Sequence, residues 1–323
     1  MNKIIEAVNL SKNYGSFSAV NDISFYVKQG EIFGLLGPNG AGKTTTINML
    51  IGMAKTSDGK IIYKGGDVTG NIKKAQRLIG VVADESNLYD EMTGYDNLCF
   101  CGSLYGLPAK VRAKRATELL DIFQLSEAAQ KKFKAYSRGM KRKLTIAAAL
   151  IHQPEILFMD EPTTGIDVAS VRQIRNLIKK LNADGTTIFL TTHYIEEAER
   201  LCDRVAFISK GGIINIDTVA GLVEAARDAN VVEVLFEAER VNKKNLEERL
   251  KNKFPHVECL LKDGNTVKIL SQEQIDIAPI VGSLADEGMT ILEARLIKPS
   301  LEDAFVKMTG IEIDMMKKEK EKR

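Results

Sequence analysis

Cysteine is scarce in this chain and irregularly placed: Cys99, Cys101, Cys202 and Cys259 are the only four in 323 residues. That usage argues against a disulfide framework and suits a reducing compartment. Cys99 and Cys101 are one residue too close for a C-x-x-C pair, and no histidine lies near them, so no metal or redox centre is expected there. All are read as small packing residues. A charge excess of one sign is also missing. The 45 basic and 43 acidic side chains leave a formal net charge of +2, which gives no general electrostatic reason for a nucleic-acid partner and favours a small-molecule or protein one. Long apolar runs are absent too, since an uncharged stretch such as 144–151 falls far short of the ~20 residues a membrane helix needs. The start, Met1-Asn2-Lys3-Ile4-Ile5-Glu6, runs straight into strand-like sequence without a basic segment, apolar stretch and cleavage site, so no secretion signal is expected.

The length exceeds what one typical core holds and suggests two domains, and 44% hydrophobic residues suffice for ordinary globular burial. The most informative run is Gly37-Pro38-Asn39-Gly40-Ala41-Gly42-Lys43-Thr44-Thr45, which fits the phosphate-binding loop G-x-x-x-x-G-K-[ST]. Residues 31–36 read as a short buried strand and 45–51 continue at helical spacing, so the motif has the flanks it requires. Glycines at 37, 40 and 42 let the backbone curl until successive N–H groups face anionic oxygens, with the positive end of the helix beneath them. Lys43 is placed to reach the β- and γ-phosphates, and Thr44 to bind Mg2+.

A second run, Ile156-Leu157-Phe158-Met159, ends in Asp160-Glu161, as expected where a central strand surfaces beside phosphates. Side chains alternate along a strand, so Asp160 can hold the metal and its water shell while Glu161 turns to the γ-phosphate side and polarises the attacking water. Alone, the pair would equally suit an acidic turn. Behind a phosphate loop in the same domain it reads as the hydrolytic end of the site, where positioning and charge neutralisation matter most.

Residues 1 to about 220 alternate strand-like and helix-like segments, the pattern of an α/β domain around a largely buried sheet. Near Gly211-Gly212 the pattern changes. A strand at 231–236, an amphipathic helix at 243–254, strands at 257–261 and 266–270 joined through 263–265, a helix at 277–287 and a strand at 291–297 give the order β-α-β-β-α-β. That order matches a ferredoxin-like unit over about 221–310. A short helix after Pro299-Ser300 and a charged tail over 311–323 follow. The end of the tail, 317–323, has five basic and two acidic residues and is read as a solvated or frayed helix end.

Between the two nucleotide motifs lies Tyr136-Ser137-Arg138-Gly139-Met140-Lys141, and after them come Thr164-Gly165-Ile166-Asp167 and Thr191-Thr192-His193. Taken in order, the series resembles the ATP-binding cassette (ABC) family over residues 4 to about 215. The Ser-x-Gly stretch looks like the family signature, the Gly-Ile-Asp turn like its D-loop and His193 like its switch histidine. The ending Pro299-Ser300-Leu301-Glu302-Asp303-Ala304-Phe305 looks like that of bacterial export ATPases of the drug, antibiotic and sodium efflux type.

The resemblance implies a P-loop NTPase core of ABC type with an inserted helical subdomain, roughly 87–149, whose end carries the signature. It also implies that two cassettes face head to tail, each ATP lying between the phosphate loop of one and Ser137 with Gly139 of the other. A serine hydroxyl, backbone amides and a helix N-terminus would then add donors to the γ-phosphate, so that ATP holds the pair and hydrolysis releases it. On its own Ser137 would be an ordinary helix cap. Tyr14, followed by Gly15, falls where the family stacks an aromatic on adenine, although a lone loop tyrosine usually packs. His193 follows strand-like residues 186–190, where a neutral imidazole can hydrogen-bond the γ-phosphate, or simply cap or fill the core.

Two departures stand out. Val82-Ala83-Asp84-Glu85 occupies the Q-loop, leaving Asp84 where the family usually has glutamine. An aspartate can still ligate Mg2+ or a metal-bound water, but it has a shorter reach and adds negative charge beside the phosphates. Arg138 and Met140 replace the commoner glycine and glutamine of the signature, leaving Ser137 and Gly139 intact. The expected function is the ATP-binding and ATP-hydrolysing subunit of an export system, with ATP and Mg2+ as cofactors and no nucleic acid. It would work as a pair of cassettes, an identical copy being the expected partner, beneath a separate transmembrane permease at the cytoplasmic face of the cell membrane. Leu88, Tyr89, Met92, Tyr95 and Leu98 lie where the family docks its permease, some of them serving as core. Two alternatives come from other classes. One is a soluble ABC-type switch on nucleic acid or ribosomes, but such relatives usually carry a coiled-coil insertion or two cassettes in one chain, and neither occurs here. The other makes the C-terminal unit a ligand-binding, regulatory or dimer-stabilising module.

Overall fold

Three short runs of apolar and β-branched residues form the centre of the fold in the computed structural model, which describes residues 2–227, 229–237, 253–254, 256–262, 265–273, 275–286 and 288–311. In chain order come strands β1 (Lys3–Tyr14), β2 (Phe17–Lys28) and β3 (Ile32–Leu36), helix α1 (Lys43–Leu50), and strands β4 (Asp58–Tyr63), β5 (Gly66–Asp67) and β6 (Ile79–Val82). Helices α2 (Gly94–Leu104), α3 (Ala109–Ile122) and α4 (Arg138–Ala149) follow, then β7 (Ile156–Asp160), α5 (Val168–Ala183), β8 (Thr187–Thr192) and α6 (Ile195–Leu201). Next are β9 (Arg204–Ser209), β10 (Gly212–Thr218), α7 (Val219–Ala225), β11 (Asn230–Phe236), β12 (Glu258–Lys262), β13 (Thr266–Ser271), α8 (Ile277–Asp286), β14 (Ile291–Ile297) and α9 (Leu301–Thr309). Two compact units divide the chain, one of Met1–Ala220 with the residues from Met308 on, the other of Gly221–Lys307.

In the first unit a six-stranded sheet runs β10-β9-β3-β8-β7-β6, parallel throughout except for the antiparallel edge strand β10. Every residue of β3, β7 and β8 is buried, as strands covered on both faces require, which is why they read as apolar runs rather than alternations. Phe33 stacks on Phe25 at 5.5 Å and on Phe189 at 5.6 Å between ring centroids, and Phe189 meets Phe158 at 5.4 Å. These rings join neighbouring strands into one core. A second, antiparallel sheet has the order β2-β1-β4-β5, and the β1–β2 turn sets Tyr14 directly opposite Phe17.

Between β6 and β7 the chain leaves the sheet for α2, α3 and α4, yet β7 returns to pair with β6 in parallel, Gly80 opposite Leu157. The helical excursion is thus rooted at two adjacent strands. Because β3, β8 and β7 are sheet neighbours, the loop after Leu36, the acids at the end of β7 and the histidine after β8 emerge side by side at one edge. Ligands of parallel α/β sheets gather at such carboxyl ends.

The second unit is a four-stranded antiparallel sheet of order β12-β13-β11-β14. Val232, Val234, Phe236, Val267 and Ile269 alternate inward along β11 and β13 and pack with Ile280 and Leu284 of α8. From β11 to β14 the described elements of this unit run strand, strand, strand, helix, strand. The expected helix at 243–254, except for 253–254, and the tail at 317–323 lie outside the described residues. No disulfide joins cysteines among the described residues, and Cys202 is buried.

Phe189→Ala removes the ring shared by Phe33 and Phe158 and is expected to cost about 3–5 kcal/mol, read as a lower urea midpoint for the first unit by circular dichroism. A loss below about 1 kcal/mol would show instead that the strands close over the gap.

Candidate active site

The loop after β3 is shaped by close approach. A Cβ on Gly37 would lie 2.2 Å from the Ile208 carbonyl oxygen, and Gly42 has φ 103° with its Cβ position 2.6 Å from the Ala19 oxygen, so no other residue fits either place without movement. Lys43 opens α1 with its side chain buried. Its Nζ donates to the carbonyls of Gly37 at 2.8 Å and Pro38 at 3.1 Å, and meets Glu161 Oε1 at 3.2 Å. An ammonium has three donors, and here two hold the loop while the third faces Glu161 at the end of β7. A cleft of roughly 460 Å³ is lined by Asn39, Gly40, Gly42, Lys43, Thr44 and Thr45 of this segment, by Asp84, Glu161, Thr164 and His193, and by Phe17 and Ala19.

Glu161 leaves β7 in the left-handed region at φ 47°, a conformation that costs about 1 kcal/mol or more for a residue with a side chain. Its N–H is held by the Thr191 carbonyl at 3.2 Å, and its Oε2 accepts from Thr164 Oγ1 at 3.1 Å and from His193 Nδ1 at 2.7 Å. Burial pushes the carboxyl up, but the His193 hydrogen bond and the Lys43 charge outweigh it and hold the group below the usual carboxylate range. Glu161 is therefore ionised at neutral pH.

That fixes the imidazole. An ionised carboxylate only accepts, so Nδ1 of His193 carries the proton, and Nε2 of a neutral ring presents a lone pair. Nε2 is buried without a hydrogen-bond partner among the described residues. The expected neutral imidazole cannot donate to a phosphate oxygen through Nε2 while Nδ1 serves Glu161. Donation needs a second proton on the ring or release of the carboxylate.

Asp160 is buried, and its Oδ1 accepts a short hydrogen bond from Thr191 Oγ1. It stands behind the cleft rather than on its wall, where Thr44 and Asp84 are found. Burial pushes the Asp84 carboxyl up; the Arg142 charge opposes this, while Asp160, Glu161 and Glu85 add to it. No group of three histidine, cysteine, aspartate or glutamate side chains could hold a metal by itself among the described residues. Mg2+ at phosphate sites takes one or two protein oxygens and completes its shell with phosphates and water, and the hard oxygens of Thr44 and Asp84, with Asp160 behind them, fit that kind of site.

Ser137 and Gly139 lie off this cleft. Ser137 caps α4, its Oγ accepting from Met140 N at 3.2 Å, which leaves the hydroxyl proton for another acceptor. Gly139 faces α5 so closely that a Cβ would sit 2.3 Å from Ser170 Oγ. Tyr14 is 52% exposed with Lys12 Nζ 4.8 Å from its ring centre, and it too is off the lining. Phe17, 63% exposed, is the aromatic on the wall. Sequence reasoning missed it, although its place opposite Tyr14 across a tight turn follows from the strand register. Arg142 was missed as well. Buried inside α4, it reaches the backbone carbonyls of both Asp84 and Glu161, and between Lys141 and Lys143 nothing in the local sequence sets it apart.

A family model described as ABC transporter matches residues 20–164. The linearmycin resistance ATP-binding protein LnrL of Bacillus subtilis (strain 168) is 38% identical over 317 residues, covering 95% of this chain and 98% of its own length. The Nod factor export ATP-binding protein I of Ralstonia nicotianae is 37% identical over 313 residues, covering 96% and 95% respectively. Among solved structures, cbiO1 from Clostridium perfringens, described as part of the transporter complex cbiONQ, has a TM-score of 0.64 at 26% identity and covers 79% of this chain and 97% of that one. A cassette solved as a dimer in a post-hydrolysis state with ADP and Pi has a TM-score of 0.61 at 26% identity, covering 67% of this chain and 98% of that one. Relatives that match from end to end, on a site that joins a phosphate loop to a poised carboxylate, make this chain an ATPase of the ABC transporter family, one of its ATP-binding subunits.

Proposed function

We propose that this subunit powers export through a separate permease, hydrolysing ATP with Glu161 as the residue that orients and polarises the attacking water. The observation that carries the reading is the convergence on Glu161 of Lys43, at 3.2 Å, and His193, at 2.7 Å, from segments that follow three neighbouring strands. Lys43 exchanges its carbonyl partners for β- and γ-phosphate oxygens, and the amides of residues 39–45 complete the cradle. Glu161, freed from Lys43, holds the water in line with the γ-phosphate. Thr44, Asp84 and Asp160 are the residues that would hold Mg2+, which would supply charge neutralisation at the phosphates. Tyr14 and Phe17, side by side at one hairpin tip, offer the base two aromatic faces.

Ser137 and Gly139 belong to the second half of the site, contributed to a partner cassette, here an identical copy. The solved cassette with ADP and Pi is a dimer, which supports pairing of two cassettes. Export is supported by the names of the relatives, a resistance protein and a Nod factor exporter; the substrate is set by the permease. No helix among the described residues is long and apolar enough to cross a membrane. In this reading the permease holds the subunit at the cytoplasmic face of the membrane.

The docking surface is a second cleft of roughly 720 Å³, between α1 and the root of the helical excursion, lined by Ile51, Met53, Arg77, Leu104 and Tyr105 among others. Met53 and Leu104 are 76% and 70% exposed, and Tyr89 nearby in sequence is 54% exposed. Leu98, one of the expected docking residues, is fully buried and belongs to the core. The near-neutral charge lends no support to a switch on nucleic acid or ribosomes.

Glu161→Gln is expected to lower turnover by about 10²- to 10⁴-fold while leaving nucleotide binding, and to accumulate a Mg-ATP dimer in size-exclusion chromatography. Unchanged turnover would remove Glu161 from the mechanism. Leu104→Glu should leave the turnover of the isolated chain within about twofold but abolish co-purification with the permease from membranes; retained co-purification places docking elsewhere.

A further inference from the structure

The guanidinium of Arg142 has five N–H donors, and all five are used. Nε donates to the Pro162 carbonyl at 2.9 Å, Nη2 to those of Asp160 at 2.8 Å and Glu161 at 3.0 Å, and Nη1 to those of Asp84 at 3.1 Å and, by a shorter bond, Ala83. Every acceptor is a backbone oxygen. The carboxylates of Asp84, Asp160 and Glu161 surround this cation without being consumed by it, so its charge offsets theirs while they stay available to the cleft.

The five carbonyls belong to two segments. Ala83 and Asp84 open the helical excursion after β6, and Asp160, Glu161 and Pro162 carry the chain out of β7. Arg142 itself stands on α4, one turn beyond Ser137 and Gly139. A second tie runs alongside, Ser86 Oγ to Thr145 Oγ1 at 2.9 Å. We propose that Arg142 is a positioning residue that locks the signature helix to the Q-loop and to the Glu161 backbone of its own chain, so that movement of the helical subdomain sets the geometry of hydrolysis there. This rests on the reading of Glu161 given above and adds a link within one subunit to the contact that the signature makes with the other.

The side chain does not touch the cleft, so its effect is on placement. Glu161 sits in a strained conformation that its surroundings must maintain, and two of the bonds from Arg142 fall on that residue and the one before it. Lysine keeps the charge but is a point donor on a flexible stem, unable to bridge five fixed carbonyls.

The test uses the whole chain carrying Arg142→Lys or Arg142→Gln, with Glu161→Gln in parallel, and measures kcat, KM and the Kd of a fluorescent ATP analogue. Both Arg142 variants are expected to lose about 10- to 100-fold in kcat, as small misplacements of catalytic groups do, while KM and Kd stay within about threefold. A residue serving stability alone would lower the folded fraction and leave kcat per nucleotide-binding molecule unchanged, and that result overturns the proposal. Hydrogen exchange of the unaltered chain gives a second readout that needs no variant: a non-hydrolysable ATP analogue should slow exchange at residues 83–86 and 160–164 together. Protection of one segment without the other also overturns it. Should Glu161→Gln keep full turnover, the reading of the site fails; if it loses turnover and the Arg142 variants do not, only the link through Arg142 fails.

Discussion

The site depends on two buried cations held among three carboxylates. Lys43 meets Glu161 from the loop side, and Arg142 lies behind Asp84, Asp160 and Glu161. In so little water, charges interact strongly and an unmatched one is costly. Removing one partner of such a buried pair typically costs about 3–5 kcal/mol because the other is left uncompensated. The arrangement therefore stands as a unit, and it does so with different bonding on each side. Lys43 contacts the Glu161 carboxylate directly, an interaction that incoming phosphate can replace. Arg142 contacts only backbone oxygens, an interaction that phosphate has no reason to disturb.

The sheet makes that division possible. Parallel strands β3, β8 and β7 end at one edge, so three segments distant in sequence arrive within hydrogen-bonding range. Behind them a further buried carboxylate, Glu197, accepts from Thr163 Oγ1 at 2.7 Å and fixes the start of the turn that follows Glu161. Burial pushes the Glu197 carboxyl up, with hydroxyl hydrogen bonds and Arg175 acting against it. The residues on both sides of the strained Glu161 are thus held by groups that take no part in binding phosphate. Such over-determination is what allows a non-glycine residue to persist at positive φ.

Much of this was legible in the sequence because local chemistry demands it. The phosphate loop needs its glycines and lysine at fixed spacing, and the strand ending in Asp160-Glu161 announces itself as an apolar run closed by acids. Long-range pairings were not legible. Arg142 carries no local signature, since its five acceptors are carbonyls of residues far away in the chain and a carbonyl is present whatever the side chain. Phe17 was hidden for a related reason: its place on the cleft comes from the β1–β2 register, not from a motif. The roles expected for Asp160 and His193 needed side-chain orientation, which periodicity sets only to within a face. Asp160 turns to Thr191, and His193 donates a hydrogen bond from Nδ1–H to Glu161.

The Asp84 substitution and Arg142 are best understood together. A glutamine in that position would be neutral, whereas an aspartate brings a negative charge into a place already crowded by Asp160 and Glu161. Repulsion there would favour protonation of Asp84 or displacement of the loop that carries it. Arg142 counters both tendencies, one by its charge and the other by bonding the Asp84 carbonyl. A shorter acidic side chain at this position is then tolerable because its backbone is pinned from behind. The helical excursion that carries Arg142 thus reaches the backbone behind the cleft of its own chain, even though Ser137 and Gly139 lie off that cleft.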